Sequence, residues 1–135
     1  MCIRDSYSGF KSKKSALDFL LDNIYSGFQM KRSICVVLKD EDHSKNLKNA
    51  QKQKHFENSK IEYLYDDNIS VMEEQPKDHF DEIHIFSDKI SNLNEYEEAE
   101  IYIYTTEADN EINDASRKLY ANLKTNNFEL NHERI

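Results

Sequence analysis

Glycine and proline are scarce in this chain of 135 residues, which contains two glycines and one proline. So little glycine excludes collagen-like and glycine-linker architectures and the glycine-rich loops that bind nucleotide phosphates. No run of about 18 apolar residues occurs, so no segment is expected to span a membrane. The two cysteines, Cys2 and Cys35, are too few for a disulfide framework and lack the spacing of a zinc site. What the length does fit is one domain of ordinary size.

The charge is abundant and unevenly distributed. Charged residues make up 33% of the chain, and the formal net charge is −8. Residues 1–60 carry 12 Lys and Arg against 7 Asp and Glu, whereas residues 61–135 carry 6 against 19. Because nucleic-acid binding needs clustered cations that release counterions, we expect no nucleic-acid partner for so acidic a chain.

The first six residues, Met1 to Ser6, resemble the translation of a sequencing adapter. We therefore interpret residues 1–6 as a non-native leader and leave them out of the fold prediction. Residues 7–135 are expected to form a single α/β domain, which is either a whole protein or a fragment of a longer one. Cys35 lies inside an apolar run, which is typical of a buried free thiol and favours a reducing, cytoplasmic location.

Hydrophobic periodicity divides the chain into alternating strands and helices. Helices are predicted over 15–29, 44–57, 89–98 and 107–124, and strands over 33–38, 61–65, 82–87, 100–105 and 128–130. A helical turn is predicted at Ile69–Met72, and Pro76 ends it. Ser15 with Asp18 is the predicted cap of the first helix, and Asp42 or Ser44 that of the second.

The order of these elements predicts the fold class. The run 33–38 is apolar throughout rather than alternating, which is typical of a strand covered on both faces. Strands that alternate with helices indicate a mostly parallel sheet between two helical layers. We therefore expect a Rossmann-like, three-layer α/β domain with four to five strands.

Carboxylates follow each predicted strand. Asp40, Asp66 and Asp88 come directly after three of them, and parallel strands end at one edge of a sheet. These oxygens suit Mg²⁺ as ligands, with Lys45 and Ser87 as contacts to a bound phosphate. The alternative is that each carboxylate caps the helix that follows, as Asp and Asn commonly do.

Tyrosine alternates along the strand predicted at 100–105. Tyr102 and Tyr104 share one face of it, opposite Ile101 and Ile103. On an exposed edge strand, these large side chains with polar tips would form a surface for a protein partner. The alternative is that the rings pack against neighbouring strands beneath a helix.

Two functions remain open on the sequence alone. The favoured one is a non-catalytic binding or protein-interaction module that uses the tyrosine-bearing strand and the acidic surface. The second is a Mg²⁺-dependent enzyme that transfers or hydrolyses phosphoryl groups with the strand-end carboxylates. Missing glycine loops and the lack of an activated nucleophile favour the first.

Overall fold

A computed structural model describes residues 4–58, 68–90, 99–125 and 130–135. Within these residues the chain forms six strands and three helices. The strands are β1 (Arg4–Phe10), β2 (Ile34–Leu38), β3 (Ile69–Met72), β4 (Glu82–Phe86), β5 (Glu100–Thr106) and β6 (Leu130–Arg134). The helices are α1 (Lys13–Gln29), α2 (Glu41–Asn58) and α3 (Asn110–Thr125).

The strands form one sheet in the order β3-β2-β4-β5-β1-β6, and every described pair is parallel. This confirms the α/β, Rossmann-like prediction, with six strands rather than four to five. Two of the six described strands were not predicted: β1 begins at Arg4, inside the six residues set aside as a leader, and β3 was predicted to be a helical turn. The non-native origin of those residues stays a prediction, but Arg4 to Ser6 belong to the sheet.

Apolar side chains cover both faces of the sheet, which makes three layers. On one face, Val36 and Leu38 of β2 pack with α1 and with Leu47 of α2. On the other face, Cys35 and Val37 pack with the residues around β4 and β5 and with α3. All five residues of β2 are buried, so the prediction of a strand covered on both sides is confirmed.

The connections leave β2 and β4 in opposite directions. From β2 the chain passes through α2 to the edge strand β3, and from β4 it passes to β5 on the other side. The described parts of the two connections lie on opposite faces, since Leu47 of α2 packs in one cluster and Ile90 after β4 in the other. The carboxyl ends of β2 and β4 therefore flank the topological switch point, where a parallel sheet opens a crevice.

Helix α1 shows how local sequence fixes an element. Ser12 is its N-cap, and Ser12 and Ser15 form a reciprocal capping box. Its buried residues recur every three or four positions and pack on the sheet; they are Ala16, Leu17, Leu20, Leu21, Ile24 and Gly27. The helix predicted over 15–29 is thus present, but it begins at Lys13, before the predicted cap at Ser15.

Two local predictions were wrong. Helix α2 begins at Glu41 after a cap by Asp40, not after Asp42 or Ser44, because the Asp40 carboxylate reaches the free amide of His43. The segment Ile69–Met72 is the edge strand β3 rather than a helical turn, and its β-branched residues pair in register with β2. The strand predicted at 61–65 and most of the helix predicted at 89–98 fall outside the described residues.

None of the helices in the described part of the chain is long and apolar enough to cross a membrane.

Candidate functional site

The three carboxylates predicted to bind Mg²⁺ are only partly described. Asp40 Oδ1 accepts hydrogen bonds from the His43 backbone amide at 2.9 Å and from His43 Nδ1 at 2.6 Å. Asp88 follows β4, and Asp66 lies outside the described residues. No group of three or more His, Cys, Asp or Glu suited to a metal occurs among the residues described. Asp40 thus acts as a helix cap, which was the alternative interpretation, and the magnesium site stays a prediction.

The two predicted phosphate contacts have separate environments. Ser87 is fully buried, and its hydroxyl accepts a hydrogen bond from the Lys89 backbone amide at 3.1 Å. Lys45 is exposed on α2. The structure therefore gives Ser87 a role within its own turn, and a contact of either residue with phosphate remains a prediction.

The tyrosine-bearing strand is internal, which corrects the predicted interaction surface. Strand β5 lies between β4 and β1, and Tyr104 has 0% of its surface exposed. Tyr102 is partly buried, and its ring stacks on His84 with 4.5 Å between ring centroids. Tyr104 is therefore unavailable to a partner, because it packs beneath α1 as the alternative interpretation held.

A polar opening lies elsewhere in the described residues, between α3 and the strands β1, β5 and β6. This pocket has a volume of about 530 Å³, within the range of about 300–1,000 Å³ that is usual for small-molecule sites. We call it the α3 pocket. It is lined by Ser6, Ser8, Gly9, Thr105, Thr106, Glu107, Asn113, Ser116, Arg117, Tyr120, His132 and Arg134.

The strands place short polar side chains on the floor of the α3 pocket. Ser6 and Ser8 alternate with Tyr7, which packs on the opposite, α1-bearing face. Strand β6 lies parallel to β1 with Ser6 opposite His132 and Ser8 opposite Arg134. Because cross-strand partners share a face, the hydroxyls of β1 line the pocket together with the His132 imidazole and the Arg134 guanidinium.

Gly9 shapes the rim of the α3 pocket. Its φ of +88° is in the left-handed region, and the β1–β5 register shifts between Tyr7 and Phe10. A Cβ at Gly9 would lie 2.6 Å from the Ile135 carbonyl oxygen, which is too close for any side chain. Glycine is therefore required at this position, where the β1–β5 register shifts and the backbone of β1 passes close to Ile135.

Helix α3 supplies a polar stripe to the same pocket. Asn113, Ser116, Arg117 and Tyr120 lie at spacings of three, one and three, which is one face of a helix. The Asn113 side chain accepts a hydrogen bond from Thr105 Oγ1 at 3.1 Å, which fixes the helix to β5. The sequence analysis missed this stripe because it used only the spacing of the apolar residues of α3. The polar residues have an equally clear helical spacing.

The α3 pocket has a charge opposite to that of the chain. Its lining includes Arg117, Arg134 and His132 but a single carboxylate, Glu107. His132 Nε2 lies 3.0 Å from Ser8 Oγ, and its ring meets the Tyr120 ring edge to face. A net positive lining rich in hydroxyls suits an anion with several hydrogen-bonding oxygens.

The chain matches no model of a protein family and no curated protein sequence.

Proposed function

We propose that the chain is a binding module whose α3 pocket holds a small anionic ligand, a phosphorylated or carboxylated metabolite. The observation that carries the proposal is the pairing of two arginines and a histidine with one carboxylate in the pocket lining. The chain as a whole has 26 Asp and Glu against 18 Lys and Arg. Cations gathered in one concave site of an acidic protein select for an anion there.

The side chains also define what the ligand carries besides its charge. Ser6, Ser8, Thr105 and Tyr120 bring hydroxyl groups to the pocket wall, and each hydroxyl can donate and accept hydrogen bonds. A guanidinium group pairs with phosphate or carboxylate through two parallel hydrogen bonds. A ligand with a charged end and a hydroxyl-bearing body, such as a sugar phosphate, uses both kinds of group.

Binding is favoured over hydrolysis by the surroundings of His132. A serine nucleophile needs a histidine base that a third group orients. The contacts of His132 in the described structure are the Ser8 hydroxyl and the Tyr120 ring edge. With those contacts, the His132 imidazole can form hydrogen bonds with a ligand in the pocket.

Isothermal titration calorimetry tests the proposal with inorganic phosphate, glucose 6-phosphate, citrate and uncharged glucose as probes. We expect an anion to bind and glucose alone not to bind. Comparing the three anions separates a phosphate site from a carboxylate site. The variants Arg117→Gln and Arg134→Gln should each weaken binding by about tenfold, since a charged hydrogen bond is lost.

Lys118→Gln is the matched control because it removes one positive charge next to Arg117 but from outside the pocket lining. Lys118 is exposed, so the variant should fold and bind as the unchanged protein does. If no anion binds at millimolar concentration, or if Lys118→Gln weakens binding as much as Arg117→Gln, the proposal is wrong.

A further inference from the structure

Two buried side-chain atoms in the described residues lack a hydrogen-bond partner, and both belong to the edge of the sheet where β2 and β4 end. They are His43 Nε2 and Asp88 Oδ1. His43 lies in the first turn of α2, directly after β2, and 4% of its surface is exposed. Asp88 comes two residues after the end of β4. A buried polar atom without a partner costs folding free energy, so each of these two atoms needs an explanation.

The hydrogen bonds of His43 define what its free nitrogen can do. Asp40 Oδ1 lies 2.6 Å from His43 Nδ1. An ionised carboxylate only accepts hydrogen bonds, so Nδ1 carries the proton. In the neutral imidazole, Nε2 then presents a lone pair. Asp88 Oδ1 is also an acceptor, and two acceptors are satisfied together by a cation.

The place of these atoms in the fold supports a binding site. The carboxyl ends of β2 and β4 flank the topological switch point, and Leu38 and Phe86 are register partners at those ends. The His43 ring packs on Phe86 with 5.9 Å between ring centroids, and Asp88 follows Phe86 by two residues. The α3 pocket uses β1, β5 and β6 instead, so the two sites are separate.

We propose that the crevice between β2 and β4 binds one divalent transition-metal ion, such as Zn²⁺ or Mn²⁺, through His43 Nε2 and Asp88 Oδ1. Asp40 is the positioning residue, since a carboxylate on the other ring nitrogen orients a metal-binding histidine and raises its basicity. The described residues contain no group of three metal-type ligands, so water completes the coordination sphere and the metal exchanges readily.

The ligand set separates this site from the magnesium site predicted from the sequence. Mg²⁺ prefers oxygen ligands, whereas an imidazole nitrogen suits Zn²⁺ and other transition metals. In this proposal Asp40 binds the histidine rather than the metal. Zn²⁺ and Mn²⁺ should therefore bind more tightly than Mg²⁺.

Calorimetric titration of the metal-free full chain with Zn²⁺, Mn²⁺ and Mg²⁺ is the first test. We expect one Zn²⁺ per chain, and we expect His43→Gln and Asp88→Asn each to abolish that binding. Asp40→Asn keeps a competent helix cap but removes the charge behind the imidazole. It should weaken Zn²⁺ binding by about tenfold, as other changes behind a metal ligand do.

The matched controls are His79→Gln and Asp78→Asn, which remove the same two side-chain types from exposed positions. Both should bind Zn²⁺ as the unchanged chain does. Long-range ¹H–¹⁵N spectra of the unchanged chain give a second readout that needs no variant. Zn²⁺ should shift the Nε2 resonance of His43, and the Nδ1 resonance should keep its attached proton.

Three results would overturn the proposal. They are no binding of any transition metal at millimolar concentration, binding that His43→Gln and Asp88→Asn leave intact, and preferential binding of Mg²⁺. The proposed anion site is unaffected by each of these results. Failure of anion binding in the α3 pocket would likewise leave the metal titration as it stands.

Discussion

His84 Nδ1 lies 2.7 Å from the hydroxyl of Tyr104, and both side chains have 0% of their surface exposed. On the other side of the ring, His84 Nε2 lies 2.9 Å from Glu82 Oε1. An ionised carboxylate is an acceptor, so Nε2 carries the proton and Nδ1 accepts from Tyr104. Asn23 Nδ2 in turn donates to the Tyr104 oxygen at 3.0 Å. This buried chain of hydrogen bonds joins α1, β4 and β5.

Removing one hydroxyl from this series of buried hydrogen bonds should lower the free energy of unfolding. Tyr104→Phe leaves His84 Nδ1 and the Asn23 amide without their buried partner, so we expect a loss of about 1–3 kcal/mol in the free energy of unfolding. Tyr120→Phe is the matched control, because it removes a tyrosine hydroxyl from a partly exposed position on α3. Urea denaturation of both variants measures the difference, and equal losses would contradict the assignment.

Arg32 neutralises the buried carboxylate of Glu82. Its Nε lies 3.0 Å from Glu82 Oε2, and the Glu82 side chain is 4% exposed. Arg32→Met leaves that charge uncompensated, so we expect a loss of about 3 kcal/mol in the free energy of unfolding. Lys14→Met breaks an exposed pair with Asp18 on α1, and we expect a change below about 0.5 kcal/mol. Chemical denaturation should separate the two variants clearly; similar losses would mean that Glu82 does not depend on Arg32.

Stability should fall as the solution is acidified below neutral pH. Burial lowers the pKa of His84 from its ordinary 6.5, despite the opposing effect of Glu82. The unfolded chain therefore takes up a proton before the folded chain does. Above pH 6.5 the titration of His84 does not lower the free energy of unfolding. Below pH 6.5 the free energy of unfolding falls by at most about 1.4 kcal/mol per pH unit, until the pKa of His84 in the folded chain is reached.

Urea denaturation at pH 7.5, 6.5 and 5.5 measures this slope. His84→Gln removes the titrating group and should flatten the dependence, whatever its effect on stability at pH 7.5. His79→Gln changes an exposed histidine and should keep the slope of the unchanged chain. Asp40 and Asp109 should add a separate loss below about pH 4. Hydrogen bonds lower the pKa of Asp40, and burial opposes but does not cancel the lowering of the Asp109 pKa by its hydrogen bonds and lysine partners. A slope that survives in His84→Gln would assign the effect to another group.

Gly9→Ala should destabilise the junction of β1 and β6. The new Cβ meets the Ile135 carbonyl oxygen, and the φ of +88° is strained for any side chain. We expect a loss of about 1–3 kcal/mol, measured by thermal or urea unfolding. Ser26→Ala, at an exposed position within α1, is the control and should change stability little. A neutral Gly9→Ala would show that the backbone at Gly9 relaxes freely.

The sequence predicted best what periodicity controls. Strand β2 and helix α1 were found because their apolar residues recur at the spacing that burial demands. Strand β1 was missed for two reasons: its first residues were set aside, and Ser6 and Ser8 take the positions where a core strand carries apolar residues. Those same hydroxyls line the α3 pocket, so the feature that hid the strand is the one that makes the site.

Contacts between distant elements lay beyond sequence reasoning. Tyr102 and Tyr104 show the correct alternation, but whether β5 is an edge or an internal strand depends on where β1 inserts in the sheet. Asp40 and Asp88 were rightly placed after their strands. Only the fold shows that the Asp40 carboxylate forms a hydrogen bond with His43 Nδ1. It also shows that His43 Nε2 is buried without a hydrogen-bond partner.

The position of β1 between β5 and β6 has a consequence for the order of folding. Ser8 and His132 are in contact across 124 positions of the chain, and closing so long a loop is entropically slow. During synthesis, β1 cannot pair with β5 and β6 until nearly all the described residues have been made. The α3 pocket is therefore completed among the last steps of folding, and ligand binding would report that β1 and β6 have paired.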